Sequence, residues 1–111
     1  MTETQWTREI VDDLKNCNTV VFAIVGGMMQ QPGWPDRYIA HTLWQGHLEF
    51  KGVKTRVGDK QKIIIRELNL RQQGIAYVIR QPNRIERWDG SLVEYFNGSG
   101  RGLLHKLAEV S

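Results

Sequence analysis

The sequence is poor in several things, and each shortage narrows what the chain can be. Its 111 residues include one cysteine, Cys17. A single thiol builds neither a disulfide framework nor a zinc site, so a reducing compartment is expected. His41, His47 and His105 have no metal-ligand spacing. Long apolar runs are missing too. The longest, Thr19 to Met29, is well short of the ~20 residues that cross a bilayer. No basic leader precedes it, so neither a membrane helix nor a signal peptide is expected, and a cytoplasmic protein is the reading. No internal repeat, low-complexity tract or linker breaks the chain, which reads as a single domain over residues 1–111. That length excludes an enzyme carrying its own helicase or ATPase module, yet it suffices for one core without staples.

What is present is globular in composition, 41% apolar and 24% charged. The net charge of +3 is unevenly placed. Residues 1–50 carry three basic and six acidic side chains, whereas residues 51–111 carry twelve and six. Lys51, Lys54, Arg56, Lys60, Lys62 and Arg66 lie within sixteen residues that contain one acid, Asp59. A basic segment beside acidic residues suggests a polyanion held near a cation-binding site, although a solvated helix face has the same composition.

Hydrophobic periodicity supplies the elements. Trp6, Ile10 and Leu14, widened by Val11, mark a helix over 3–16, with Thr2 and Gln5 spaced as a capping box. The β-branched run 19–25 reads as a strand buried on both faces, interrupted by Gly26-Gly27. A loop over 30–35 follows. Residues 37–44 read as a strand, Gln45-Gly46 as a turn, and 47–51 as a strand with Leu48 and Phe50 on one face and His47, Glu49 and Lys51 on the other. A basic loop leads to a helix over 59–73, with Gly74 as its stop. Residues 75–79 form a short buried strand. Asp89-Gly90 turns a hairpin between 84–87 and 92–96, and 102–109 form a last helix. The order is α-β-β-β-α-β with a hairpin and a short helix appended, an α/β fold with a mixed sheet flanked by helices.

The chemistry concentrates on Gly33-Trp-Pro-Asp36 and Glu49-Phe-Lys51. On a strand, Glu49 and Lys51 share a face about 7 Å apart. If 37–44 and 47–51 pair as a hairpin, its open end brings in Asp36. Two carboxylates can hold a hard divalent cation through oxygen, and an ammonium beside them suits phosphodiester hydrolysis. A surface Glu-Lys pair is the bland alternative. Gln61 lies on the apolar stripe with Ile64, Ile65 and Leu68, where an amide needs a partner.

Gly33-Trp-Pro-Asp36, Glu49-Phe-Lys-Gly52, a basic loop, Gln61 and a helix ending at Gly74 before an apolar strand together resemble the PD-(D/E)XK nuclease superfamily, and within it the VRR-NUC branch of small stand-alone, phage-like members. The match covers about residues 33–80. The resemblance implies a restriction-endonuclease-like core and a metal-dependent endonuclease acting on DNA. It implies Asp36, Glu49 and the backbone carbonyl of Phe50 as metal ligands, with Glu9 on the first helix as an added acidic ligand. Lys51 becomes the catalytic lysine, and Gln61 a catalytic-site residue that helps position the site or the substrate. The implied cofactor is Mg2+, with Mn2+ as a substitute, and no small-molecule cofactor is expected. Lys54, Arg56, Lys60 and Lys62 are expected to bind the nucleic-acid backbone. With little surface for reading sequence, a homodimer acting on branched DNA such as a Holliday junction is the expectation. The first helix and the hairpin, with Tyr95 beside Phe96, are the candidate dimer surfaces. A flap, single-strand or sequence-specific nuclease, or a non-catalytic nucleic-acid-binding module, stays open at this stage.

Overall fold

The computed structural model describes residues 1–24, 34–72 and 75–111. Gly26-Gly27, most of the 30–35 loop with Gly33, and the Gly74 stop lie outside the described residues. The elements run α1 (Glu3–Asn16), β1 (Val20–Ala23), β2 (Arg37–Ala40), β3 (Gln45–Lys51), α2 (Asp59–Gln72), β4 (Ala76–Arg80), β5 (Arg84–Glu86), β6 (Leu92–Tyr95) and α3 (Gly100–Val110). The order is the expected one. The six strands form one sheet in sequence order, and every pairing is antiparallel except β3 with β4, which are parallel and joined by α2. A parallel pair needs such a crossover.

The sheet separates two cores. On one face Leu48, Phe50, Ile39, Tyr77, Ile79 and Ile85 meet Trp6, Ile10 and Leu14 of α1 and Leu103, Leu104 and Leu107 of α3. On the other, Ala76 and Val78 of β4 meet Val57 and Ile65, with Leu68 and Trp88 packed against them. Each fully buried Leu or Ile contributes about 1.5–3 kcal/mol. α1 starts as its sequence indicates. The Gln5 N–H donates to Thr2 Oγ1 and the Thr2 N–H to Gln5 Oε1, both at 3.1 Å.

Two local expectations are corrected. β1 is not buried on both faces. It is the sheet edge, and Val20 and Phe22 are 51% and 58% exposed. α1 packs against β1 on one side, whereas α2 packs against β4. The β2–β3 turn also falls earlier than Gln45-Gly46, which are already strand. The His41 N–H donates to the Trp44 carbonyl at 3.0 Å, and the Leu43 N–H donates to His41 Nδ1 at 3.0 Å. Trp44 closes the turn from inside. It is buried, lies 6.3 Å from the Tyr77 ring, and its Nε1–H donates to Ser111 Oγ at 2.7 Å. Gly46 is glycine because the chain crowds it: a Cβ there meets the Ile75 carbonyl and comes within 2.6 Å of the Trp44 ring.

The hairpin turns as expected at Asp89-Gly90, where Gly90 has φ +87°, a left-handed conformation that suits glycine. Phe96 is buried in the α3-side core, and Tyr95 faces outward beneath the Arg84 guanidinium, 5.6 Å from the ring centroid. On this hairpin α3 covers Phe96, whereas Leu92 and Tyr95 stay 39% and 48% exposed.

Gly46→Ala should destabilise the chain by about 2 kcal/mol or more, because the added methyl overpacks a position closed by backbone. In urea the midpoint should fall with little change in slope; an unchanged midpoint would show that the Ile75 and Trp44 contacts yield freely.

Candidate active site

Three side chains expected to act together are brought together. β3 is the central element. Its even positions enter the α1-side core, which forces Glu49 and Lys51 onto the opposite face at the strand's C-terminal end. Arg37 opposes Leu48 in β2, so Asp36, one residue earlier, arrives at the same end. Asp36 Oδ1 accepts from the Phe50 N–H at 3.4 Å, which ties the carboxylate to the backbone between Glu49 and Lys51. Lys51 Nζ lies 3.6 Å from Glu49 Oε2, with both side chains largely buried.

The electrostatics match this crowding. Burial pushes the Glu49 carboxyl up to about 7, and the negative charge of Asp36 adds to the push while Lys51 opposes it. Burial also raises Asp36, against the lowering influence of Arg37, the Phe50 N–H and Lys51. Glu49 Oε1 is buried and has no hydrogen-bond partner among the described residues. A buried carboxylate oxygen without a donor is costly, and a divalent cation would satisfy it and relieve the repulsion between the two acids. The residues present therefore fit a hard cation held by oxygen. Among the described residues no third carboxylate, imidazole or thiol joins them in a group suited to a metal.

The remaining expected residues lie outside the contacts that join Asp36, Glu49 and Lys51. Glu9 is exposed and lines a separate depression with Met1, Gln5 and Arg8. The acids that α1 contributes to the cleft containing Asp36, Arg37 and Phe50 are Glu3 and Asp12. Helical spacing alone did not separate these faces, since Glu9 and Asp12 both flank the buried stripe. Gln61 finds its partner locally: its Oε1 accepts from the Gly58 N–H at 2.9 Å, closing the first turn of α2. Lys54, Arg56 and Lys60 are exposed on the loop after Lys51 and at the start of α2, and Lys62 is half-buried. His47 shares the Glu49 face but is wedged between the rings of Trp34 and Tyr38, at 5.6 and 5.1 Å, and burial lowers its pKa. Trp34 thus packs within the fold. Local sequence patterns do not reveal the buried ion pair of Arg80 with Glu86, at 2.9 Å; an arginine closing an apolar strand is its one signal.

No protein-family model matches the chain. No curated protein matches it in sequence. In architecture the chain has a restriction-endonuclease-like fold, the class that the motif resemblance implies. The solved structure that carries this comparison is the 1.6 Å structure of Archaeoglobus fulgidus Hjc, a Holliday junction resolvase from an archaeal hyperthermophile. The TM-score is 0.55 at 16% identity, over 78% of this chain and 77% of that one. Among the described residues, no helix is long and apolar enough to cross a membrane.

The raised Glu49 pKa has a signed consequence for stability. Below about pH 4.5 the carboxyl is neutral in both the folded and the unfolded chain. Between there and about 7 the folded chain holds a proton that the unfolded chain has released, so this contribution falls as pH rises and is gone above 7. Without divalent metal, the wild-type chain should lose on the order of 3 kcal/mol across this window that Glu49→Gln does not lose. Chemical denaturation at a series of pH values checks this, and parallel profiles for the two proteins would contradict the assignment.

Proposed function

We propose that the chain is a metal-dependent endonuclease of the VRR-NUC type that hydrolyses DNA phosphodiester bonds, with branched DNA such as a Holliday junction as its substrate and a homodimer as its working form. The observation that carries this reading is the meeting of Asp36, Glu49 and Lys51 at one end of β3, with a buried carboxylate oxygen left without a donor. The fold shared with a Holliday junction resolvase supports it.

Asp36 and Glu49, with the Phe50 carbonyl, would hold Mg2+, or Mn2+ in its place. The bound cation supplies charge neutralisation at the phosphate and a more acidic water. Lys51, held beside Glu49, places its ammonium where it orients the attacking water or meets negative charge developing on the phosphate. Lys54, Arg56, Lys60 and Lys62 neutralise backbone phosphates on the approach to the site. Gln61 acts one step removed: by closing the first turn of α2 it sets the positions of Lys60 and Lys62. Selectivity for branched DNA is the reading that the fold shared with a Holliday junction resolvase supports. Two copies held at a fixed distance would make paired cuts. The exposed Val20, Phe22, Ile63 and Leu70 are apolar groups that a second copy would cover.

Four-way, flap and linear duplex DNA, each incubated with Mg2+ or with chelator, test the proposal. Asp36→Asn and Lys51→Ala should each lower the cleavage rate by about 100-fold or more, the scale of losing one preorganised electrostatic group. DNA affinity without metal should change little. Wild-type protein that binds DNA without cutting any of these substrates would leave the non-catalytic binding module as the reading. Neutralising Lys54, Arg56, Lys60 and Lys62 should flatten the salt dependence of binding by roughly 0.9 per lost contact on a log–log plot. A strict monomer that cuts linear and four-way DNA equally would remove the junction-resolving part and leave the nuclease.

A further inference from the structure

Glu86 is a buried carboxylate that the chemistry above does not use. It is 3% exposed on β5 and sits between two guanidinium groups. Arg80 Nε–H donates to both of its oxygens, at 2.9 and 3.1 Å, and Arg84 Nε–H donates to Oε2 at 2.9 Å. A buried charge so paired is retained only with good geometry, and its removal leaves its partners misdirected. Here the geometry has a destination. With Nε committed to Glu86, Arg80 turns its NH1 group onto the loop that follows Lys51, donating to the Gly52 carbonyl at 2.8 Å and to the Thr55 carbonyl at 2.7 Å.

The same strand end grips the chain at Lys51 itself. Arg80 is the parallel register partner of Lys51, and the Gln81 N–H donates to the Lys51 carbonyl at 2.9 Å. From the other side, Thr55 Oγ–H donates at 3.3 Å to Oε2 of Glu3, an α1 residue that lines the cleft with Asp36. The loop therefore runs from Lys51 through two carbonyls held by one arginine. The residues flanking Thr55 are Lys54 and Arg56, both exposed. Only a guanidinium can engage a carboxylate and two carbonyls together in a fixed fork; an ammonium is a point donor.

We propose that Arg80, oriented by Glu86, is a positioning residue: it fixes the 52–58 loop so that Lys54 and Arg56 present a paired cationic edge to a phosphate backbone entering beside Lys51. This deepens the nuclease reading and rests on it.

The test is a cycle in the full chain, with an immobile four-way DNA junction as the probe and no divalent metal. Arg80→Lys keeps the charge and loses the fork. Amide hydrogen exchange over residues 53–58 of the free protein should rise by about tenfold or more, while that of β3 and β4 stays slow. Junction affinity should fall by about tenfold, and the salt slope should shrink by about two contacts. In a Lys54→Gln/Arg56→Gln background, Arg80→Lys should cost no further affinity, because the groups it positions are already gone. A purely structural arginine would give additive losses, and additivity overturns the proposal; so does unchanged exchange over 53–58. If Arg80→Lys does not fold, Glu86→Gln takes its place in the same cycle with the same criteria. Wild-type protein that binds no junction would overturn the nucleic-acid reading and with it the purpose given to the loop. The exchange measurement, made without DNA, still decides separately whether Arg80 holds it.

Discussion

The two-faced use of β3 is the constraint from which the rest follows. Leu48 and Phe50 belong to the core under α1 and α3, so Glu49 and Lys51 must face the other way, and a shift of one residue would send both charges into that core. The register is held from both neighbours. β2 pairs antiparallel and delivers Asp36 at its first turn into the sheet, while β4 pairs parallel and delivers Arg80 beside Lys51. Antiparallel and parallel partners on the two sides of one strand bring the beginning of one neighbour and the end of the other to the same place. That is why residues from three separate segments meet there.

The charges gathered at this end are not arranged for stability. Asp36 and Glu49 raise the free energy of the folded chain while both are ionised, and Arg37 and Lys51 offset only part of it. Crowded carboxylates with a raised pKa and an oxygen lacking a donor are a cost that folding alone does not explain. Their arrangement contrasts with Glu86, which is as buried but fully paired between Arg80 and Arg84. One buried acid is thus paired within the protein. The other keeps an oxygen with no hydrogen-bond partner among the described residues.

Much of this was legible in the residues themselves. The period of 3.6 in α1, the period of 2 in β3, the Asp89-Gly90 turn and the spacing of Asp36, Glu49 and Lys51 are local signals, because each depends on how a single segment presents its side chains. The element order and the fold class followed from them. So did the convergence of the three site residues, since alternation on β3 and the open end of a hairpin require no knowledge of distant contacts.

Other features needed the assembled molecule. The exposure of Val20 and Phe22 depends on which side of the sheet α2 covers, and the β2–β3 turn moved because Trp44 is drawn inside against Tyr77 and Ser111, which arrive from far along the chain. The local partner of Gln61, the outward face of Glu9 and the grip of Arg80 on Gly52 and Thr55 likewise arise from where a side chain ends up among its neighbours. Sequence by itself determined which residue types stand on which face of each element, because backbone periodicity is a local property. Only the tertiary structure decided which of those faces are covered and which polar atoms find partners, because burial and hydrogen bonding are set by segments that meet only once the chain has folded.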